Sequence, residues 1–304
     1  MKQCTVFLHD EVHPAARELL QKYVNVIGDW EKIGQSDAIL VRKIHLEKDV
    51  FDICPRLKVI GFHGSGINGI DLEQAQKHGV DVFAVPGLNA QSVAEMNTAL
   101  ALDLAHRVTE SSHRLKCGSS MEDALVRYRG TELTGKIAGI VGLGAVGRRT
   151  ATILKNGFHM PVYAYSHGLT AQWACQQGVR WCATLTELLQ KADYVFLSLP
   201  LTPKTTYLID EKELTLMKPT AVLINGARGK LVRESALYAA LRDGRLAAAA
   251  SDVFENEPVS PEEPILQLDN FLGTPHLGGN TEEALYQVGV GVADGILKRL
   301  GVKA

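Results

Sequence analysis

The chain has 304 residues, more than one typical core holds, so two domains are expected. A composition of 46% hydrophobic and 22% charged residues excludes disordered and fibrous classes. The net charge of −2, with no basic run, argues against a nucleic-acid partner. The apolar start breaks after Leu8 at His9, Asp10 and Glu11, which is too short for a secretory signal. No later segment reaches the roughly 18 apolar residues of a membrane span. Five cysteines (Cys4, Cys54, Cys117, Cys175 and Cys182) show no CxxC spacing, so reduced thiols are expected rather than a disulfide frame or a metal site. These features predict a cytoplasmic globular protein with no bound metal.

In chain order, the first elements are short β-rich runs: "CTVFLH", "DAILVR", "LKVIGFH" and "DVFAVP". Helix-like pieces such as "HPAARELLQKY" and "DLEQAQKHG" separate them, which is the rhythm of βαβ units and a mostly parallel sheet. A long apolar-periodic run, "AQSVAEMNTALALDLAHRV", then leads to a second series: "KIAGIVGLG", "PVYAYS", "DYVFLSLP", "AVLINGA" and "LAAAASDVF". The chain closes in a helix begun by "NTEEALYQVGVGVADGILKRL", where Asn280 and Glu283 suggest a capping box. That last helix has too little company to be a domain and is expected to pack back on the first one. The predicted fold is α/β, with two Rossmann-like doubly wound parallel-sheet domains. Residues 1–96 and 279–304 would form a discontinuous substrate domain, with a dinucleotide domain, 97–278, inserted between them.

Within "GIVGLGAVGRRTATIL", Gly142, Gly144 and Gly147 have GxGxxG spacing. They follow the strand-like run 137–141 and open the helix-like run 146–154. In that setting the glycines permit a tight turn, close approach to a pyrophosphate and close helix-to-strand packing. Ala145 and Val146 offer helix N-terminal N–H groups to the anion. A glycine-rich turn in an ordinary βαβ unit would show the same spacing.

A dinucleotide fold usually carries an acid at the end of the next strand to accept the ribose hydroxyls. Here "PVYAY" is followed by Ser166, His167 and Gly168, and no Asp or Glu comes before Glu187. A serine can donate to a 2′-phosphate, which an acid would repel, and His167 can add positive charge. The expectation leans toward NADP(H) over NAD(H), with dual use open; no arginine stands beside Ser166.

Near the end, "GTPHLGGN" places His276 between a proline and paired glycines. The context is a stiff loop. His276 is either an aimed catalytic group or a polar tip on a surface turn, and the loop alone does not choose.

Five motifs in order make the choice. "LKVIGFHGSGINGIDLEQAQKHGVDVFAVPG" with "SVAE", "ELTGKIAGIVGLGAVG", "LPLTPKTTYLIDEKELTLMKPTAVLINGARGKLVRESALYAAL", "SDVFENEP" and "TPHLGG" together resemble the D-isomer-specific 2-hydroxyacid dehydrogenases. This group includes D-lactate, glyoxylate/hydroxypyruvate and D-3-phosphoglycerate dehydrogenases, and the resemblance runs nearly end to end. It implies an NAD(P)-dependent interconversion of a small 2-oxo acid and its D-2-hydroxy acid. His276 would be the acid/base, Glu257 its partner, and Arg228 would bind the substrate carboxylate and reacting oxygen. An imidazolium suits proton donation near neutral pH, a carboxylate orients it, and a guanidinium fork matches a carboxylate.

The same resemblance implies that Ser65 and Gly66 offer backbone N–H groups to the substrate, although Asn68-Gly69 departs from the usual Asp-Asn. Arg42 either faces the substrate or is a solvated strand-end charge. Asp252 would meet the nicotinamide amide, with a turn role as the other reading. Asn225 and Ala227 would lie along the ribose and nicotinamide path, Pro200 and Thr205 along the adenosine and phosphate path, and Gly278 beside the histidine loop. Family members usually pair through the cofactor domain, so a homodimer is expected.

Two rivals share the architecture. Formate dehydrogenases pair the histidine with glutamine, which Glu257 opposes. Corepressors of the C-terminal-binding-protein type would bind nucleotide with little turnover and act through protein partners. The chain stops at Ala304, so the extra regulatory domain of longer phosphoglycerate dehydrogenases is not expected.

Overall fold

The computed structural model describes residues 4–42, 46, 49–64, 66, 70–118, 126–168 and 170–302. The chain divides into two compact units, Met1–Ser92 with Gly279–Ala304, and Val93–Gly278.

The first unit holds a five-stranded, all-parallel sheet of β1 (Thr5–Phe7), β2 (Asn25–Ile27), β3 (Ala38–Val41), β4 (Val59–Phe62) and β5 (Asp81–Ala84). The strand order is β2-β1-β3-β4-β5. Alternation along β1 sends Val6 and Leu8 to one face and Phe7 to the other, and both faces are buried. One face is covered by the helices Pro14–Tyr23 and Glu282–Arg299, so the closing helix packs on the first helix and on β4. Gly61 makes room for this: a Cβ there would sit 2.6 Å from Val292 Cγ1.

That helix is capped by Thr281, whose hydroxyl accepts the Ala284 N–H at 3.3 Å. The expected Asn280–Glu283 box is therefore corrected. The Asn280 side-chain oxygen instead accepts from Arg42 Nη2 at 2.7 Å, a partner 238 residues away in sequence.

The second unit holds a seven-stranded parallel sheet. Its strands are β6 (Ala138–Val141), β7 (Val162–Tyr165), β8 (Arg180–Trp181), β9 (Tyr194–Leu197), β10 (Val222–Asn225), β11 (Ala248–Ser251) and β12 (Phe271–Gly273). The order β12-β11-β10-β9-β6-β7-β8 winds outward in both directions from β6 and β9. This doubly wound order puts its switch point between those two strands, where α/β sheets bind ligands. Ile140, Phe196 and Ile224 fill one face, while Val141, Val195, Leu197 and Leu223 fill the other.

The long run before β6 forms one helix over nearly its whole length. Ala90–His106 ends at Arg107, held at φ 56°, and a second helix, Val108–Lys116, follows. Among the described residues, no helix is long and apolar enough to cross a membrane, and no group of three His, Cys, Asp or Glu could hold a metal ion.

Candidate active site

Three loops at the carboxyl ends of β10, β11 and β12 bring the expected catalytic trio into one unit. The first follows β10. Asn225 is buried, its Nδ2 donates to the Arg228 carbonyl at 2.9 Å, and its Oδ1 accepts the Ala227 N–H at 3.2 Å. Arg228 thus leaves the strand on a fixed backbone. Its Nη1 donates to the Ala227 carbonyl at 2.6 Å, and its remaining N–H groups have no hydrogen-bond partner among the described residues. Burial pushes the guanidinium down from its ordinary value, and the Glu257 charge raises it again in part; arginine stays a cation throughout.

The second loop leaves β11 as residues 252–257. Gly229 is what lets it lie against the Arg228 turn, because a Cβ there would collide with the Phe254 carbonyl. Glu257 turns back on its own loop, Oε1 accepting the Phe254 N–H at 3.0 Å.

The third loop follows β12 and carries His276 in the left-handed region, at φ 55°. Such a backbone is unusual for a residue with a Cβ and persists only where neighbours enforce it. Asp252, 2% exposed, does so. Its backbone carbonyl accepts the His276 N–H at 2.8 Å. Its Oδ1 accepts the Thr274 hydroxyl at 2.6 Å and the Leu277 N–H at 2.8 Å, while Oδ2 accepts the Gly278 N–H at 2.7 Å.

The outcome is an ion pair, His276 Nδ1 to Glu257 Oε2 at 2.7 Å. With Nδ1 bound to the carboxylate, Nε2 is the ring nitrogen left for other chemistry. The side chains are 50% and 37% exposed, so a small molecule can reach them. The hydrogen bond that His276 donates to Glu257 raises the His276 pKa most, and burial opposes it. The charges of Glu257 and Asp252 add to the rise and Arg228 opposes it. For Glu257 burial pushes the carboxyl up, but hydrogen bonds from His276 and Phe254 and the nearby cations hold it below the usual range.

The glycine loop stands between β6 and the helix Ala145–Phe158. Gly142 adopts φ 94°, and a Cβ there would lie 2.5 Å from the Ser198 carbonyl beyond β9. At Gly147 a Cβ would collide with the Gly142 carbonyl, whereas at Gly144 there is open space. Gly144 caps the helix with no side chain, so the N–H groups of Ala145, Val146 and Gly147 are free of side-chain caps. A tight turn, an open approach and bare amides at the switch point fit a dinucleotide pyrophosphate.

A family model described as D-isomer specific 2-hydroxyacid dehydrogenase, NAD binding domain, matches residues 98–278, more than half of the chain. The chain belongs to this family. A glyoxylate reductase of Aeropyrum pernix is 34% identical over 98% of the chain and 93% of its own length. A D-3-phosphoglycerate dehydrogenase of Methanocaldococcus jannaschii is 40% identical over 89% of the chain. The chain spans only about half the length of that protein, 51%. Among solved structures, D-lactate dehydrogenase of Aquifex aeolicus, complexed with NAD and lactic acid, superposes with a TM-score of 0.82 at 27% identity. That match covers 98% of this chain and 95% of the other.

The other sequence-derived positions of this dehydrogenase-family chain fall as follows. Ser166 directly follows β7, and exposed His167 begins the turn closed by Gly168 at φ 75°. The Thr205 hydroxyl donates to the Pro200 carbonyl at 2.8 Å and accepts the Thr202 N–H at 2.7 Å, so it shapes its own turn. Gly66 lies in the first unit between β4 and the helix Leu72–Lys77, and Ser65, Asn68 and Gly69 lie outside the described residues. Arg42, also in the first unit, is engaged by the Glu11 carbonyl at 2.9 Å and by Asn280.

Asn97 escaped the sequence reading. It is 1% exposed, and neither polar atom of its amide has a partner among the described residues. Its Oδ1 occupies the space that a Cβ on Gly226 would need. Only the glycine inside "NGARG" hinted at a close neighbour, and nothing local named it.

Proposed function

We propose that the chain reduces a small 2-oxo acid to its D-2-hydroxy acid, and runs the reverse, with His276 as acid/base. The single observation carrying this reading is the 2.7 Å His276–Glu257 pair, in the same unit as an arginine most of whose N–H groups have no partner among the described residues. The nicotinamide, when bound, supplies or takes the hydride at C2. Protonated His276 gives the Nε2 proton to the carbonyl oxygen and becomes neutral, keeping its Nδ1 proton on Glu257. Arg228 offers the substrate carboxylate a charge-assisted fork and offsets the charge growing on oxygen.

The residues proposed to hold the dinucleotide are Gly142, Gly144, Ala145, Val146 and Gly147 at the pyrophosphate. Ser166 and His167 would face the adenine ribose, while Pro200, Thr205, Asn225, Ala227 and Gly278 would border the rest. Asp252 serves this reading mainly as the anchor of the His276 loop, since three of its hydrogen bonds go there. NADP(H) is proposed as the preferred form. The first carboxylate after β7, Glu187, is taken up by Lys191 at 2.7 Å and the Ala183 N–H at 2.9 Å.

The test is an assay at 340 nm with NADPH and NADH in parallel over glyoxylate, hydroxypyruvate, pyruvate and bulkier 2-oxo acids. Turnover of one acid supports the proposal and names the substrate. Binding of both cofactors without turnover of any acid would overturn it in favour of a corepressor-like role.

A further inference from the structure

We propose that Glu255 is a positioning residue for the acid–base pair, locking the segment that aims Glu257 at His276; this rests on the reading of that pair given above. Glu257 is oriented by its own backbone, through the Phe254 N–H on Oε1. Whatever holds residues 254–257 therefore sets where the carboxylate points.

Glu255 ties that segment to the start of the helix Glu234–Arg242 by a reciprocal pair of bonds. Its Oε1 accepts the Glu234 N–H at 2.7 Å, and the Glu234 carboxylate accepts the Glu255 N–H. Its other oxygen accepts the Tyr207 hydroxyl at 3.0 Å. Tyr207 is itself braced. Its backbone sits at φ 52°, the Arg233 guanidinium lies 4.0 Å over its ring, and Arg233 Nε donates to Asp210 at 2.7 Å.

The arrangement is costly for the job of merely closing a loop. The Glu234 carboxylate borders a mainly apolar pocket lined by Leu237, Val253, Phe254 and Ile265, and the Glu255 carboxylate is close enough for its charge to act on it. Burial pushes the Glu234 carboxyl up most, the hydrogen bond from the Glu255 N–H opposes it, and the charges of Glu255, Glu263 and Glu257 add to the rise. Like charges at close range are retained where each also satisfies a directional bond, and here each carboxylate fixes the other's main chain. Direction is what an acid–base pair requires, because misplacement of about 1 Å costs roughly 100-fold in rate.

The test compares wild type with Glu255→Ala, Glu255→Gln and Tyr207→Phe in the full chain. The readouts are the NMR titration of the His276 ring, nucleotide binding by fluorescence, and kcat and KM on whichever 2-oxo acid the wild type accepts. His276 is faced by Glu257, Asp252 and Arg228, so its titration reports whether Glu257 has kept its place.

Glu255→Ala is expected to bind nucleotide normally, to titrate His276 nearer the ordinary value of about 6.5, and to lose roughly 10- to 100-fold in kcat with KM little changed. Glu255→Gln, which keeps an oxygen for the Glu234 N–H, should recover most of the loss, and Tyr207→Phe should show a smaller shift in the same direction. A folded Glu255→Ala with wild-type titration and kcat would overturn the proposal. If Glu255→Ala does not fold, an unshifted titration in Tyr207→Phe overturns it instead. Should the wild type turn over no 2-oxo acid, the functional reading falls separately, and the His276 titration still decides the positioning.

Discussion

Asp252 holds His276 from behind: its main-chain carbonyl binds the His276 N–H, and its carboxylate binds the residues on both sides. The imidazole is thus fixed in a left-handed backbone by an aspartate 24 positions earlier at the end of the neighbouring strand. Asp252→Asn would set an NH2 group against the Gly278 N–H or against the donors from Thr274 and Leu277. A loss of about 1–3 kcal/mol in stability is expected, with kcat reduced more than nucleotide affinity. Denaturant unfolding with steady-state kinetics checks this; unchanged stability would show that the loop holds itself.

The ion pair predicts a pH signature. His276 has a raised pKa in the folded chain, so its stabilisation is complete below about pH 6.5 and is lost as pH rises through the raised folded value. Glu257 is lowered, so its contribution is complete above about pH 4.3 and is lost as pH falls through the lowered value. The pair therefore stabilises fully between those limits. In the reductive direction kcat/KM should fall with rising pH through the raised His276 value. Glu257→Gln should move that limb to lower pH, and His276→Ala should cut turnover by roughly 100- to 10,000-fold while nucleotide still binds. A pH–rate profile for Glu257→Gln that overlays wild type would remove Glu257 from the mechanism.

Gly226 and Asn97 form a fitted pair. Gly226→Ala places a methyl where Asn97 Oδ1 already sits, displacing the turn that carries Arg228. The expected cost is about 1–3 kcal/mol, together with a raised KM for substrate. Asn97→Ala in the same chain should restore much of both, since it removes the obstruction and a buried amide that has no partner among the described residues. Strict additivity of the two substitutions in a double-mutant cycle would refute the contact.

Ser166 is the residue on which the proposed cofactor preference rests. Ser166→Asp puts a carboxylate at the end of β7, where it accepts ribose hydroxyls and repels a 2′-phosphate. The ratio of kcat/KM for NADPH over NADH should drop by at least tenfold, about 1.4 kcal/mol. An unchanged ratio means that the specificity lies elsewhere in the unit.

Much of the scaffold was legible because its signals are local. Strand and helix rhythm reports burial one residue at a time, and Gly142, Gly144 and Gly147 report a turn within six residues. Element ends were less legible. Asn280 looks like a cap, yet its side chain is taken by Arg42, and Thr281 caps instead. Arg107 separates the apolar helix Ala90–His106 from a polar second one, Val108–Lys116, and a single backbone angle leaves no periodic trace to mark the break. The edge strands β2, β8 and β12 are also short, and unlike β1 they sit in no longer β-rich run that would mark them.

By itself the sequence determined the parallel α/β plan and the glycine turn, which depend on residue type and near spacing, while His276, Glu257 and Arg228 were singled out by the resemblance of their motifs to a family. Tertiary structure alone decided that His276 and Glu257 meet at 2.7 Å. It also assigned Asp252 to clamp the histidine loop, gave Asn97 the space beside Gly226, and joined Glu255 to Glu234 and Tyr207. The reason is physical: a hydrogen bond is satisfied in space within a few tenths of an ångström, and chain separations of 19 to 129 residues place no such limit on where two side chains will stand.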